Sequence, residues 1–151
     1  MGMTVTLDRM IHTIATHDGL GKELDLGECA NAGGDLSPID VLAMSLASCV
    51  LLVMAKAARA KAIDLTGAWA AVSDDVKEYK IKSITVTIHS PQSPSETDRS
   101  FLEKESHACP VYLAVQDNIN VNLTFAWGCE AARPANCRPA PQAAACAQTT
   151  N

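Results

Sequence analysis

Residues 37–62 read SPIDVLAMSLASCVLLVMAKAARAKA, and no other stretch limits the fold as strongly. Ser37 can cap a helix, Pro38 suits its first position, and Asp40 can bond back to the cap. No glycine or proline interrupts the run, so one long helix is expected to about Ala62. Its first five turns are apolar nearly all round, from Ile39 and Val41 through Leu46 to Leu52 and Val53. Such a helix belongs at the centre of a fold and needs cover on most sides. One small sheet covers one side only. A second copy of the chain is the simplest source of the missing surface, so a homodimer is expected.

The rest of the chain supplies the sheet. MTVTLDRMIHTIATHDGLGKELDLGE alternates apolar and polar residues around Asp18-Gly19, which predicts a strand, a tight turn and a returning strand. ECANAGGDLS, residues 28–37, is a Gly-rich connection. Residues 65–73 and 80–89 read as two strands joined by the acidic turn SDDVKEY, with Ile84, Val86 and Ile88 on one face. Ser93-Pro94-Ser95-Glu96 opens a polar helix to about Ser106, and HACPVYLAVQDN a short one near Pro110. Ile119 to Trp127 alternates again, a half-buried strand. The order of elements predicts an α+β fold, an antiparallel sheet with a long buried central helix. After Gly128 the chain turns rich in Ala and Pro without periodicity. The expected organisation is one domain over 1–128 and a disordered tail over 129–151.

Composition narrows the function. A net charge of −5 argues against nucleic-acid binding, which needs a basic face. The apolar run Leu42–Ala55 is short for a bilayer and ends at Lys56, so no membrane partner is expected. No charged segment followed by an apolar one opens the chain, and a cytoplasmic location is expected. Six cysteines stand at 29, 49, 109, 129, 137 and 146 with no CxxC pair. That pattern predicts neither structural zinc nor a disulfide scaffold, and no metal or cofactor is expected. Cys29, Cys129, Cys137 and Cys146 receive no role.

Two of the thiols invite chemistry. Cys49 sits inside the apolar helix, where a cysteine serves either as a small hydrophobe filling a gap or as a reagent. Burial there raises a thiol pKa, so a reactive Cys49 needs a cation or strong donor from another element. Cys109 precedes Pro110 at a helix start, where free N–H groups favour a thiolate, and His107 can add to that effect. The alternative is that a helix start simply needed a small residue. Together the two can run a redox cycle. One thiolate attacks a peroxide and becomes a sulfenic acid, and the second thiol condenses with it to a disulfide that a reductant reopens.

SPIDVLAMSLASC followed by ESHACPVYLAV resembles the OsmC/Ohr family, the osmotically inducible and organic hydroperoxide resistance proteins. The likeness covers most of residues 4–127. It implies an intertwined homodimer with sites at the interface, Cys49 as the peroxidatic thiol and Cys109 as the resolving one. It implies organic hydroperoxide or hydrogen peroxide as substrate and a dithiol, such as a lipoylated protein, as reductant. The hydroperoxide-resistance branch carries an activating Arg in the first hairpin, where this chain has Thr16-His17-Asp18-Gly19. It also carries a Glu ten residues before the first cysteine, where this chain has Ile39, with Asp40 one residue later. In that respect the chain is similar to an OsmC-like branch lacking the usual pair. His17, Asp40 and Arg9 are the supporting candidates, with Lys56, Arg99 and His107 as further cations, and Asp40 equally reads as a capping residue. The expected function is a thiol-dependent peroxidase. The alternative is a non-catalytic protein of the same fold that binds a small apolar ligand.

Overall fold

The structure is a computed structural model that describes residues 2–9, 12–17, 19–27 and 36–129, with the backbone alone at Asp8 and Arg9. Cys29, Cys137, Cys146 and the tail from residue 130 lie outside the described residues. So does most of the Gly-rich connection.

The N-terminal alternation forms three strands rather than two. β1 (Met3–Arg9), β2 (His12–His17) and β3 (Lys22–Leu26) make an antiparallel sheet in that order. Arg9 already pairs with His12, and the sequence between them has no Gly, Pro or Asn to announce a turn. The second reversal follows His17, whose carbonyl accepts from Leu20 and Gly21, with Gly21 at φ 55°. The pairing puts Met3, Val5, Leu7, Ala15 and Leu24 on one face.

α1 (Pro38–Ala60) starts as expected. The Ser37 hydroxyl accepts from the Asp40 N–H at 3.1 Å, and the Asp40 carboxylate accepts from the Ser37 N–H at 2.8 Å. It ends without a glycine: Ala62 takes the left-handed region at φ 54° while the Ile63 N–H reaches the Ala58 carbonyl. Leu46, Val50, Met54 and Ala58 face inward and are fully buried or nearly so. The opposite stripe is open in the single chain, with Leu52 62% and Met44 40% exposed. By length and composition α1 could cross a membrane, contrary to the reading from its uninterrupted apolar run. The run was counted only to Lys56, whereas the helix extends beyond it at both ends. Its packing on β4, β5, α2 and α3 makes it the core helix here.

β4 (Trp69–Lys77), β5 (Lys80–Ser90) and β6 (Asn120–Trp127) form the second sheet, in that order. β4 starts later than expected because Asp64 to Gly67 form a turn, with the Asp64 carboxylate accepting from the Thr66 N–H and Gly67 at φ 82°. It then runs straight through the acidic SDDVK stretch. Only Glu78 and Tyr79 turn, both in the left-handed region at φ 52° and 60°. Ile84, Val86 and Ile88 face α1 as the alternation predicts. β5 and β6 run parallel, the one parallel pair among the described strands, and α2 (Glu96–Ser106) and α3 (Pro110–Val115) make the crossover that a parallel pair requires. The cap of α2 is Ser95, bonded to Asp98, two residues beyond the predicted start. Gly128 and Cys129 donate N–H bonds to Gln92 and Ser90, so the bonded chain runs one residue past the expected domain end.

Candidate active site

The long helix and the crossover bring Cys49 and Cys109 together. Cys49 lies on the edge of the buried face of α1, half-exposed, between the core residues Leu46 and Val50 and the open stripe. Cys109 is the N-cap of α3 and is fully buried. Its sulfur accepts from the Tyr112 N–H at 3.4 Å, and Cys49 lies close enough to act on the thiol. Both are free thiols.

The electrostatics at Cys109 reverse the expectation drawn from its helix-start position. Burial pushes the Cys109 thiol up first, and the neighbouring Cys49 pushes it further. The N–H groups of Tyr112 and Val111 pull it down, and they do not prevail. The reason is general: one short helical turn offers two weak donors to sulfur, whereas complete burial removes all hydration from a thiolate. Cys109 is therefore held as a protonated thiol at neutral pH.

The supporting candidates go elsewhere. Asp40 spends both backbone and carboxylate on the cap of α1. His17 closes β2, and its Nδ1 accepts from the Gly19 N–H at 3.2 Å. Arg9 closes β1, and its side chain lies outside the described residues. Arg99 donates to the Pro94 carbonyl and the Ser93 hydroxyl, Lys56 is exposed on α1, and His107 Nδ1–H donates to the Glu103 carbonyl at 2.9 Å. None of these bonds reaches Cys49. Among the described residues no group of three or more His, Cys, Asp or Glu could hold a metal.

The N–H contact expected at Cys109 comes from Tyr112, as the three-residue spacing from cap to third helical position requires. One feature escaped the sequence reading. An apolar groove of about 480 Å³ runs between α1 and β4, lined by Met44, Leu51, Leu52, Leu65 and Val72 among others. It is built largely by small residues (Ala47, Ser48, Ala55, Ala68, Ala70), whose pattern announces nothing until the helix and strand are packed.

A sequence model described as OsmC-like protein matches residues 31–124, more than half the chain. No curated protein matches. Among solved structures, the fold is similar to a protein of Psychrobacter arcticus, 24% identical over 82% of this chain and 93% of that one, TM-score 0.75. It is similar to the OsmC like protein of Mycoplasma pneumoniae at 24% identity, covering 83% of this chain and 96% of that one, TM-score 0.68. It also resembles the organic hydroperoxide resistance protein OhrB of Bacillus subtilis, 21% identical over 83% and 98%, TM-score 0.62. With the matched region spanning α1, both crossover helices and most of β6, the chain belongs to the OsmC-like family.

Proposed function

We propose that this protein is a thiol-dependent peroxidase that reduces organic hydroperoxides or hydrogen peroxide. The observation that carries the reading is that the fold makes neighbours of the Cys49 and Cys109 thiols, which come from distant parts of the chain. The Cys49 thiolate attacks the outer peroxide oxygen. The O–O bond breaks, an alcohol or water leaves, and Cys49 becomes a sulfenic acid. The Cys109 thiol then displaces the hydroxyl, its proton leaving with it as water, and a disulfide forms. A dithiol reductant reopens that bond and is itself oxidised to a disulfide. Holding Cys109 protonated suits this order, since a thiol that stays neutral does not compete with Cys49 for peroxide. The organic hydroperoxide resistance proteins of Bacillus subtilis and Legionella pneumophila, which share the fold, support a role in redox stress.

The active unit in this reading is a homodimer in the cytoplasm. Two apolar surfaces without cover support it: the open stripe of α1 and the face of the N-terminal sheet carrying Met3, Val5 and Leu7. The groove between α1 and β4 favours the second reading, a small-ligand-binding protein, because Cys49 does not line it.

The test adds one equivalent of cumene hydroperoxide, and separately of hydrogen peroxide, to the full chain. Disulfides are mapped by mass spectrometry against the rate of peroxide loss. A rapid Cys49–Cys109 disulfide, absent in Cys49→Ser, is expected. If Cys49 oxidises no faster than a free thiol, the peroxidase reading is lost and the groove becomes the site to screen.

A further inference from the structure

α3 is a weakly anchored element. It has six residues, none of them fully buried, and no acidic residue in its first turn. Pro110 has no N–H to satisfy, which leaves Val111 and Tyr112 as the free donors of that turn. The Tyr112 N–H donates to the Cys109 sulfur, and the Val111 N–H also pulls the thiol pKa down. The Leu113 N–H is the first taken by backbone, at the Cys109 carbonyl, 3.0 Å away. One sulfur atom is thus the whole side-chain cap of this helix, and Cys49 is the neighbouring thiol.

Once bonded to Cys49, the Cys109 sulfur must sit where disulfide geometry places it, whatever the cap requires. As a thiol, Cys109 keeps its lone pairs for the N–H groups. In a disulfide the two sulfurs close to about 2 Å, and the Cβ–S–S–Cβ torsion must reach roughly 90°. The Tyr112 N–H contact already stands at 3.4 Å, so a shift of the sulfur toward α1 breaks it. We infer that forming the Cys49–Cys109 disulfide uncaps α3 and loosens its first turn, a redox switch built on the shared sulfur. The inference rests on the two-cysteine cycle proposed above, whose oxidant is the peroxide.

The switch answers a problem of access. Cys109 is fully buried in the reduced protein, and a disulfide at that depth is closed to an external dithiol. Loosening α3 uncovers the sulfur only when there is a bond to reduce. It also frees Tyr112 from His107, whose ring meets it edge-on with centroids 5.1 Å apart. The oxidised form then shows a surface that the reduced form lacks, and recapping follows reduction.

Hydrogen exchange read by mass spectrometry on the full chain tests this, with disulfides mapped in the same samples. The protein is oxidised with cumene hydroperoxide or with diamide, a thiol oxidant that needs no peroxide chemistry. The peptide spanning 109–116 is expected to exchange about five- to tenfold faster when the disulfide is present, the scale of a lost N-cap. It should slow again on reduction and stay unchanged in Cys49→Ser. Reduced Cys109→Ala should already exchange fast, and Cys109→Ser, whose hydroxyl still caps, should stay slow under oxidant. A mapped Cys49–Cys109 disulfide with unchanged exchange at 109–116 overturns the switch and leaves the peroxidase reading standing. A bond formed by diamide but not by peroxide removes the peroxidase reading, and the exchange rate then decides the switch alone. No bond with either oxidant removes both.

Discussion

The indole Nε1–H of Trp127 donates to the Glu103 carboxylate at 2.8 Å, tying the end of β6 to the middle of α2. Both side chains are half-buried, and the same turn of α2 accepts from His107 and Ser106 through the Glu103 carbonyl. This clamp holds the crossover that carries Cys109. Trp127→Phe keeps an aromatic ring but removes the bond and part of the indole, and it should destabilise the fold by about 1–2 kcal/mol. Urea unfolding of both proteins measures the difference, and an unchanged midpoint would show that the clamp holds nothing.

Ser37 and Asp40 satisfy one another at the head of α1. Ser37→Ala and Asp40→Ala should each lower stability by about 1 kcal/mol, and the double variant by less than their sum. If Asp40 is only a cap, the rate of Cys49 oxidation by peroxide stays as in the parent for Asp40→Ala. A large fall in that rate with stability unchanged would assign Asp40 to the chemistry.

Ala62, Glu78 and Tyr79 all hold left-handed backbone without glycine. Ala62→Gly should stabilise the end of α1 by several tenths to about 1 kcal/mol. The pair Glu78→Asn with Tyr79→Gly should stabilise the β4–β5 hairpin by about 1 kcal/mol or more. Tyr79 is entirely exposed, so nothing packed is lost with its ring. Thermal melts would read both gains.

Ile84 is fully buried against α1 at the centre of β5. Ile84→Val should cost about 1 kcal/mol and Ile84→Ala about 2–5 kcal/mol, the spread set by how far α1 can settle into the gap. Near-equal effects of the two changes would mean that the sheet and helix are less closely packed than their burial implies.

The raised thiol at Cys109 makes alkaline pH destabilising. The folded chain prefers the protonated form more than the unfolded chain does. Its contribution is therefore whole below the ordinary thiol range and is lost as pH rises through the folded value. Under reducing conditions, unfolding midpoints from about pH 7 to about pH 10 should fall more steeply for the parent than for Cys109→Ala. Parallel curves would mean that burial does not disfavour this thiolate.

The elements that announced themselves did so through local chemistry. Ser37-Pro38 with Asp40 marked the start of α1, Cys109-Pro110 marked α3, and the alternation of Ile84, Val86 and Ile88 marked the buried face of β5. What stayed hidden depends on residues far apart or on turns made by unusual residues. Met10-Ile11 and Glu78-Tyr79 carry no turn signal, so the pattern predicts one strand where two exist and ends β4 early. The parallel pairing of β5 with β6 has no local signature. At the site, the two cysteines could be named from motifs, but the sign of the Cys109 shift could not. A helix start and a buried pocket act on a thiol in opposite directions, and only packing decides between them.

The parallel pairing of β5 and β6 also sets an order in time. Antiparallel hairpins close within a few residues, but β6 can zip onto β5 only after residues 91–119 have been made and folded back. Cys109 lies inside that excursion, whereas Cys49 lies in a helix complete long before it. On a chain emerging from synthesis, Cys49 therefore exists for an interval with no thiol beside it. An oxidant that converts Cys49 to a sulfenic acid in that interval leaves it with no second thiol beside it, open to capping by any small thiol in solution. On the two-cysteine reading, a sulfenic acid formed at Cys49 before the crossover is complete has no Cys109 to resolve it.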